Sequence, residues 1–286
     1  MEFPKITLVG VGLLGGSVGL AVKKRGVAGR VTGFVRRVES IDECLAAGAV
    51  DEATQDVVEA VEGASLVILC TPVAGMGDIA AQIKPHLSPE AVVTDVGSVK
   101  ASVIAEVEPV LPRFIGSHPM CGSEKTGVAH ARADLFSDTV CAVTPTSRSK
   151  ADALEQVNQF WSALGSQVIT LTAEDHDAIV ARTSHLPHVL ASALVNTVLS
   201  KPREGEAAFL GIGFRDTTRL ASGSPEMWRD IAFTNADAIT GAIGDLQAQL
   251  GKLKDILTKK DAAALEVFFS EGKTRRDEWL RGGKTE

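Results

Sequence analysis

One histidine lies in a loop sequence suited to acid–base chemistry. His118 stands in the stretch 116–125, Gly-Ser-His-Pro-Met-Cys-Gly-Ser-Glu-Lys, whose glycine and proline residues are typical of irregular backbone. An imidazole ordinarily titrates near neutral pH, so it can accept a proton and later return it. His118 is therefore the first candidate for a catalytic acid or base. The alternative is a loop histidine that only hydrogen-bonds a backbone carbonyl.

A second group of histidines lies further along the chain. His185 and His188 flank Pro187, and Asp177 precedes them. This spacing on a helix could suit a metal ion, but no further Cys or His cluster completes such a site in the sequence. We therefore predict no metal, and we interpret Asp177 as a carboxylate that orients a histidine.

The element that would bring a reactant to His118 lies at the start of the sequence. A short apolar run at 5–9 leads into the glycine-rich stretch 10–17 and then into a helical pattern. Strand, glycine turn and helix in this order are typical of a dinucleotide-binding unit, and the context makes the glycine pattern specific. We expect His118 to lie where the bound dinucleotide ends.

The glycines of this turn have separate expected roles. Gly10 would permit the tight turn, Gly12 would let the backbone approach a pyrophosphate, and Gly15 would let helix and strand pack closely. The phosphates would then lie at the positive N-terminus of the helix, where Leu13 and Leu14 begin it.

The end of the second predicted strand indicates which dinucleotide binds. NAD-binding units carry an acid about twenty positions past the glycines, to accept hydrogen bonds from the ribose 2′-hydroxyl. Here that position is Val35, followed by Arg36 and Arg37. Two guanidinium groups suit a 2′-phosphate, so NADP is favoured and NAD stays possible. The alternative is that both arginines are solvated loop charges.

Strands and helices alternate through the first part of the chain. Apolar runs without alternation predict strands covered on both faces, as in a mainly parallel sheet. These runs fall at 31–34, 64–70, 91–95, 113–115, 140–143 and 167–171. Thr71 and Pro72 follow one of them directly and are predicted to contact the cofactor. We predict a doubly wound Rossmann-type domain over 1–172 and an all-helical domain over 173–286.

One helical segment has an unusually regular apolar seam. Isoleucine and leucine recur at alternating spacings of four and three residues, at positions 239, 243, 246, 250, 253 and 257. Such a seam buries itself against another helix. We favour a homodimer through this face, since two-fold interfaces are self-complementary. Packing inside a single helical bundle is the alternative.

Composition excludes several classes of function. The net charge of −7 argues against a nucleic-acid or membrane-surface role, and 45% hydrophobic residues are ample for a folded core. Four scattered cysteines lack metal-ligand spacing and are typical of a reduced, cytoplasmic protein. We find no signal-peptide pattern and no apolar run long enough to span a membrane.

Five motifs in this order resemble the prephenate and arogenate dehydrogenases of tyrosine biosynthesis, over nearly the whole chain. They are the glycine turn and the stretches Asp95–Lys100, Gly116–Met120, Ser184–His188 and Gly213–Arg219. The resemblance implies oxidative decarboxylation of a cyclohexadienol acid, with hydride passing to a nicotinamide. Prephenate would give 4-hydroxyphenylpyruvate, and arogenate would give tyrosine.

The resemblance also implies roles for individual residues. His118 would take the substrate's hydroxyl proton, and Ser98 would position both histidine and hydroxyl, unless Ser98 only caps a helix. Arg219 and the neighbouring His188 would hold a substrate carboxylate. The predicted substrate site also includes His185, Ser123, Glu124, Asp177 and Trp228; Glu124 would gate it, and Trp228 would be either pocket wall or core.

Two other functions fit the same layout. A β-hydroxyacid dehydrogenase would carry a catalytic lysine on the long helix after the Rossmann domain, yet 151–200 contains no lysine. A non-catalytic NADP sensor would use the fold for binding alone, which the group of candidate catalytic residues disfavours.

The choice between the two substrates has one weak indication in the sequence. The stretch Ser123, Glu124 and Lys125 resembles that of prephenate-type family members, which slightly favours prephenate over arogenate.

Overall fold

A single sheet organises most of the chain. The computed structural model describes residues 3–122, 125–201 and 203–282. Eight strands lie side by side in the order β3-β2-β1-β4-β5-β6-β7-β8. Their bounds are Ile6–Val9, Val31–Phe34, Glu52–Thr54, Leu66–Leu69, Val92–Asp95, Phe114–Pro119, Val140–Thr144 and Gln167–Thr170 for β1 to β8. Sequence order reverses beside β1, where β4 is its other neighbour.

The central strands are covered on both faces, as their apolar sequences predict. All residues of β1, β4 and β5 are buried. One face packs against α1 (Leu13–Arg25), α2 (Glu39–Ala46) and α6 (Ala151–Ala163). The other packs against α3 (Val57–Val61), α4 (Met76–Ile83) and α5 (Ala101–Val107). The predicted doubly wound, mainly parallel architecture is therefore confirmed.

Two strands complete the sheet in ways that the sequence did not indicate. β6 and β7 pair in antiparallel orientation, whereas every other neighbouring pair is parallel. β3 forms one edge of the sheet, where it pairs with β2. Because its three residues, Glu-Ala-Thr, offer neither an apolar run nor an alternation, pattern reasoning has no signal for β3.

After β8 the described chain is helical. The α-helices are α7 (Ala173–Val180), α8 (Leu186–Leu199), α9 (Ile212–Thr218), α10 (Pro225–Thr234), α11 (Ala236–Lys259) and α12 (Ala262–Gly282). Between α7 and α8 the backbone makes a π-turn at Ala181–His185, so the two helices run on through one widened turn.

The chain divides into two compact units between Ala236 and Asp237. Helices α7 and α10 belong to the first unit because they contact α5 and the short 3₁₀ turn at Val73–Gly75. The change from strands to helices does occur at Thr172, but a domain boundary there remains a prediction.

The second unit consists of most of α11 together with α12. In the seam of α11, Ile239 is buried, whereas Leu250 and Leu257 are 54% and 56% exposed. No helix in the described residues is long and apolar enough to cross a membrane.

Candidate active site

The glycine turn joins β1 to α1 at the carboxyl edge of the sheet. Gly10 has a φ of 102°, a region that favours glycine, and a Cβ there would lie 3.0 Å from the Cys70 carbonyl oxygen. A Cβ on Gly15 would lie only 2.0 Å from the Gly10 carbonyl oxygen. Helix and strand therefore approach each other more closely than any side chain at Gly15 would allow.

The same turn fits a dinucleotide phosphate. A Cβ on Gly12 would have no heavy atom within 4 Å, so the space beside this backbone is open. Gly12 caps α1 without any side-chain hydrogen bond, which leaves first-turn N–H groups available at Leu13 and Leu14. Across the turn, the buried Thr71 Oγ1 has no hydrogen-bond partner among the described residues. Pro72 follows it and is exposed.

The end of β2 carries no acid and two exposed arginines. Val35 lies in the core and is 4% exposed. Arg37 donates to Ser40 Oγ at 3.1 Å and lies 3.5 Å from a Glu43 carboxylate oxygen. Arg36 is the exposed arginine nearer the strand, and its carbonyl accepts a hydrogen bond from Gln55.

A hollow of about 640 Å³ opens beside these residues at the ends of β2 and β3. It is lined by Phe34, Ile41, Thr54, Gln55, Asp56, Val57 and Gln82. Its position beside Arg36 is suited to the adenosine end of a dinucleotide.

His118 lies on β6, not in the loop that its glycine- and proline-rich neighbours predict, and at the same edge of the sheet as the glycine turn. It is 8% exposed, and its Nδ1 lies 2.9 Å from Nε2 of His176 on α7. His176 Nδ1 lies in turn 2.7 Å from a carboxylate oxygen of Asp177. The carboxylate also accepts hydrogen bonds from the backbone N–H groups of Lys100 and Ala101, at 2.8 and 2.9 Å. Three side chains thus form a buried chain of hydrogen bonds.

This chain of hydrogen bonds determines where His118 carries its proton. The ionised Asp177 carboxylate can only accept, so His176 donates to it from Nδ1, and when that is its single ring proton its Nε2 accepts. His118 then donates from Nδ1, which leaves the lone pair on its Nε2 available to take a proton from a ligand. Asp177 orients a histidine, as interpreted from the sequence, although that histidine is His176.

His118 and Asp177, at the two ends of these hydrogen-bonded side chains, are each held in the ionisation state that base catalysis requires. Burial lowers the pKa of His118 well below the usual histidine value, and positive charge at His176, Lys100 or His185 would lower it further. Burial alone would raise the pKa of Asp177. Hydrogen bonds from His176, Ala101 and Lys100 outweigh that effect, and the pKa is lowered. A neutral His118 and an ionised Asp177 result.

A buried ion pair lies behind His118. Lys100 and Asp95 are both fully buried and form a short hydrogen-bonded contact. Lys100 Nζ also donates to the Ser117 carbonyl at 2.9 Å, while the other Asp95 carboxylate oxygen accepts from the Ser117 N–H at 2.9 Å. Ser117 Oγ accepts from the indole of Trp161 at 2.9 Å. The residue before His118 is therefore fixed through its backbone and its side chain.

His185 and Ser98 adjoin this group. His185 is 1% exposed, its Nδ1 lies 3.3 Å from Asn235 Nδ2, and its Nε2 has no hydrogen-bond partner among the described residues. Burial lowers the pKa of His185 to about 4, against opposing effects of the Asp177 charge and the nearby Ser98 backbone. Ser98 is half-buried. It does not cap a helix, because α5 begins only at Ala101 and its cap residue is Lys100.

The remaining substrate candidates lie on adjoining helical elements. His188 on α8 stacks on the indole of Trp228, with ring centroids 3.5 Å apart and planes inclined by 14°. Trp228 also meets the edge of His185, at a centroid distance of 5.9 Å. Arg219 begins a short 3₁₀ turn that contacts α8. Trp228 therefore contacts both histidine rings and also packs against the hydrophobic core. Ser123 and Glu124 lie outside the described residues.

Sequence reasoning missed four residues of this arrangement. His176 stands between two acids in Glu-Asp-His-Asp, a pattern that could have indicated a histidine held by a carboxylate. Asp95 and Lys100 are the first and last residues of one of the five motifs, but nothing in their spacing indicates that they pair. Asn235 gives no sequence signal at all. No cluster of three or more metal-ligating residues occurs among the described residues.

Comparison with protein families covers both parts of the chain. The model of the family described as prephenate dehydrogenase, nucleotide-binding domain, matches residues 18–170. The model described as prephenate dehydrogenase, dimerization domain, matches residues 172–271.

Individual relatives are similar over almost the full chain. The cyclohexadienyl dehydrogenase of Zymomonas mobilis is 34% identical, over 96% of this chain and 95% of its own. The prephenate dehydrogenase of Aquifex aeolicus, solved with hydroxyphenyl propionate and NAD+, is 32% identical with a TM-score of 0.92, covering 97% of this chain and 99% of its own. The arogenate dehydrogenase of Synechocystis is 30% identical with a TM-score of 0.80, covering 96% and 99%.

Proposed function

This chain belongs to the prephenate dehydrogenase family, and we propose on that basis that it oxidises and decarboxylates a cyclohexadienol acid, either prephenate or arogenate. The observation that carries the proposal is a neutral, buried His118 held by His176 and Asp177 at the edge of a dinucleotide-binding sheet. Such a site pairs a proton acceptor with a hydride acceptor, which is what oxidation of an alcohol requires.

The nicotinamide, when bound, accepts the hydride from the ring carbon that bears the hydroxyl. We assign to His118 Nε2 the hydroxyl proton that is released as the carbonyl forms. The ring carboxylate then leaves as carbon dioxide, its bonding electrons restore aromaticity, and the former carbonyl oxygen takes the proton back to give the phenol. We assign to Ser98 the positioning of the hydroxyl group, because its backbone lies beside His185 in the same buried group.

The substrate's charged groups need partners away from His118. We assign a carboxylate to Arg219, whose guanidinium can form two parallel hydrogen bonds with it. His188 would share this role, because Trp228 stacks on its ring and fixes its orientation. The unpartnered His185 Nε2 would bond the substrate between these two ends. The proposed site also includes Ser123, Glu124 and Asp177. Asp177 acts on it through its hydrogen bond with His176.

The choice between NAD and NADP and the oligomeric state are also matters of proposal. The family's nucleotide-binding domain establishes a nicotinamide cofactor. We propose NADP, since Arg36 and not an acid follows Val35. We propose a homodimer through the helical part of the chain, which agrees with the family's dimerization domain and with the exposed leucines of α11. A cytoplasmic location remains a prediction from the scattered cysteines.

The experiment is a paired assay of the purified protein with prephenate and with arogenate, each with NAD and with NADP. We expect cofactor reduction and release of one carbon dioxide per hydride for at least one substrate. Cofactor reduction without carbon dioxide, or no reaction in all four combinations, would contradict the proposal.

A second assay tests the carboxylate partner. We expect Arg219→Ala to lower kcat/KM by roughly 30-fold or more, equivalent to about 2–5 kcal/mol, mainly through KM. Arg275→Ala removes an exposed ion pair with Glu271 and serves as the control, with unchanged kinetics. An unchanged KM for Arg219→Ala would assign the carboxylate to another residue.

A further inference from the structure

We propose that Lys100 is a positioning residue of the reaction, which with Asp95 clamps the backbone that carries His118 and also anchors the carboxylate behind His176. The inference rests on the proposed function, because it assigns Lys100 an effect on the step that His118 performs. Lys100 does not touch the reacting atoms, so its effect would reach them only through geometry.

The clamp stands where the sheet stops supporting β6. Pairing between β5 and β6 ends at Thr94 and Ile115, while β6 continues to Pro119 and pairs there with β7 alone. On the β5 side, the Ser117 N–H is bonded by Asp95 and its carbonyl by Lys100 Nζ. These side chains replace the missing strand partner immediately before His118.

Lys100 also reaches the second support of His118. Its backbone N–H donates to the Asp177 oxygen that His176 contacts, at 2.8 Å. A single residue therefore bonds the strand beneath His118 and the carboxylate that orients His176. Displacing Lys100 would alter both the position of His118 and the partner of its Nδ1.

The stability of the fold does not by itself explain the buried pair of Lys100 and Asp95. Both side chains are fully buried. Removing two charges from water is costly, and an apolar pair of similar volume is often equally stable or more stable. What an apolar pair cannot supply is directed hydrogen bonding to both backbone groups of Ser117. The pair is better explained by the placement of His118 than by stability.

The test uses a charge-neutral double variant, Asp95→Asn with Lys100→Met, since the single Lys100→Met would leave a buried carboxylate unpaired. We expect the double variant to fold, with kcat roughly 10–100-fold lower, the scale of a small misplacement, and KM values for substrate and cofactor within about threefold. The control is Glu108→Gln with Arg148→Met, which removes a pair formed by a buried carboxylate and an exposed arginine at the far end of α5. We expect it to keep its kcat.

Several results would overturn the clamp. They are a wild-type kcat in the double variant, a change confined to KM, or an equal loss of kcat in the control. If the wild-type protein turns over neither substrate, the proposed function fails, and histidine NMR then tests the clamp alone. The His118 ring signals should move in the double variant and not in the control; unmoved signals would refute the clamp.

Discussion

At the residue scale, the neutral state of His118 and the orientation of its ring have different causes. Burial keeps the pKa low, whereas His176 and Asp177 fix which ring nitrogen carries the proton. The two effects are separable, because a histidine could be neutral and still present the wrong nitrogen. Catalysis by His118 would therefore depend on both the burial of the ring and the ionised Asp177.

Replacing His118 by asparagine tests the base assignment. We expect His118→Asn to lower kcat by roughly 10²–10⁴-fold with little change in KM, because a general base acts as hydride departs and not in substrate binding. His86→Asn, an exposed histidine before β5, is the control and should behave as wild type. The wild-type kcat/KM should fall as pH drops through the lowered pKa of His118, so its acidic limb lies below pH 6.5. A near-normal kcat in folded His118→Asn would refute the assignment.

Arg36 gives a test of cofactor choice. We expect the wild type to have a higher kcat/KM with NADP than with NAD, and Arg36→Ala to lose that preference, because a 2′-phosphate needs a cation where Val35 provides no acid. Arg30→Ala is the matched control, since Arg30 precedes the same strand and pairs with Glu52 at the surface. Steady-state kinetics with both cofactors decide the question. Equal efficiency of the wild type with both would contradict the prediction.

At the element scale, two glycines of one turn should fail in different ways. We expect Gly15→Ala to destabilise the fold by about 3 kcal/mol or more, because its Cβ would overlap the Gly10 carbonyl. Gly12→Ala has open space for its Cβ, so the unliganded protein should lose about 1 kcal/mol or less. The same methyl group would block the approach of a pyrophosphate. We expect cofactor affinity to fall by tenfold or more.

Thermal unfolding and cofactor titration separate these two outcomes. Gly48→Ala, at a turn outside the site with a φ of 69°, controls for the general cost of substituting a turn glycine. Unchanged cofactor binding by Gly12→Ala would show that the phosphates lie elsewhere.

Elements with a strong local pattern could be predicted from the sequence. The buried runs of β1, β4 and β5 and the glycine turn were predicted close to their observed positions, because burial on both faces imposes a continuous apolar sequence. β3 could not be predicted, since an edge strand of three residues has little to bury. The antiparallel direction of β7 leaves no trace in its own sequence either.

The candidate site likewise contains some residues that could be predicted from the sequence and others that could not. His118 stands in a recognisable local pattern and Asp177 precedes a pair of histidines, so the sequence predicts both as candidates. The contact between His118 and His176 joins residues 58 positions apart, whereas Asp95 and Lys100 are only five positions apart but lie in separate elements, and their spacing does not indicate a pair. Only the folded sheet brings β5, β6 and α7 together, and a single sequence does not encode which distant residues will meet.

At the scale of the whole molecule, the buried histidines couple folding to pH. His185 has a pKa of about 4 in the folded protein and near 6.5 when unfolded, and the pKa of His118 is lowered too. Between pH 4 and pH 6.5, the His185 imidazole is protonated in the unfolded chain but neutral in the folded protein. Stability should therefore be complete above pH 6.5 and decline as pH falls towards 4, with about 3 kcal/mol of that loss from His185.

Urea unfolding at a series of pH values measures this slope. His185→Gln should flatten it, whereas the exposed His86→Gln should leave it unchanged. A free energy of unfolding that stays constant from pH 6.5 to 4 would contradict the burial of neutral imidazoles.

Assembly gives the second test at this scale. We expect a dimer by light scattering at micromolar concentration, and we expect Leu250→Glu to weaken it, because a charge would enter an apolar interface at a position now 54% exposed. Lys252→Glu, on the same helix, should leave the assembly unchanged. A monomeric wild-type protein would refute the proposed homodimer.

The π-turn between α7 and α8 has a consequence for how the length of this chain can vary. In an unbroken α-helix, Asp177 and His185 would point about 80° apart, whereas one extra residue in the turn brings them to within about 20°. Asn235 then spans the Asp177 carbonyl and His185 Nδ1. Deleting one residue from 181–184 would restore regular winding and leave His185 within about 20° of Asp177, because seven regular steps give the same angle as the widened turn, whereas deleting two residues would rotate α8 by about 100° and turn His185 and His188 away from His176. The widened turn thus lets this segment lose one residue without changing the orientation of α8, and only a further change in its length would turn His185 and His188 out of the site.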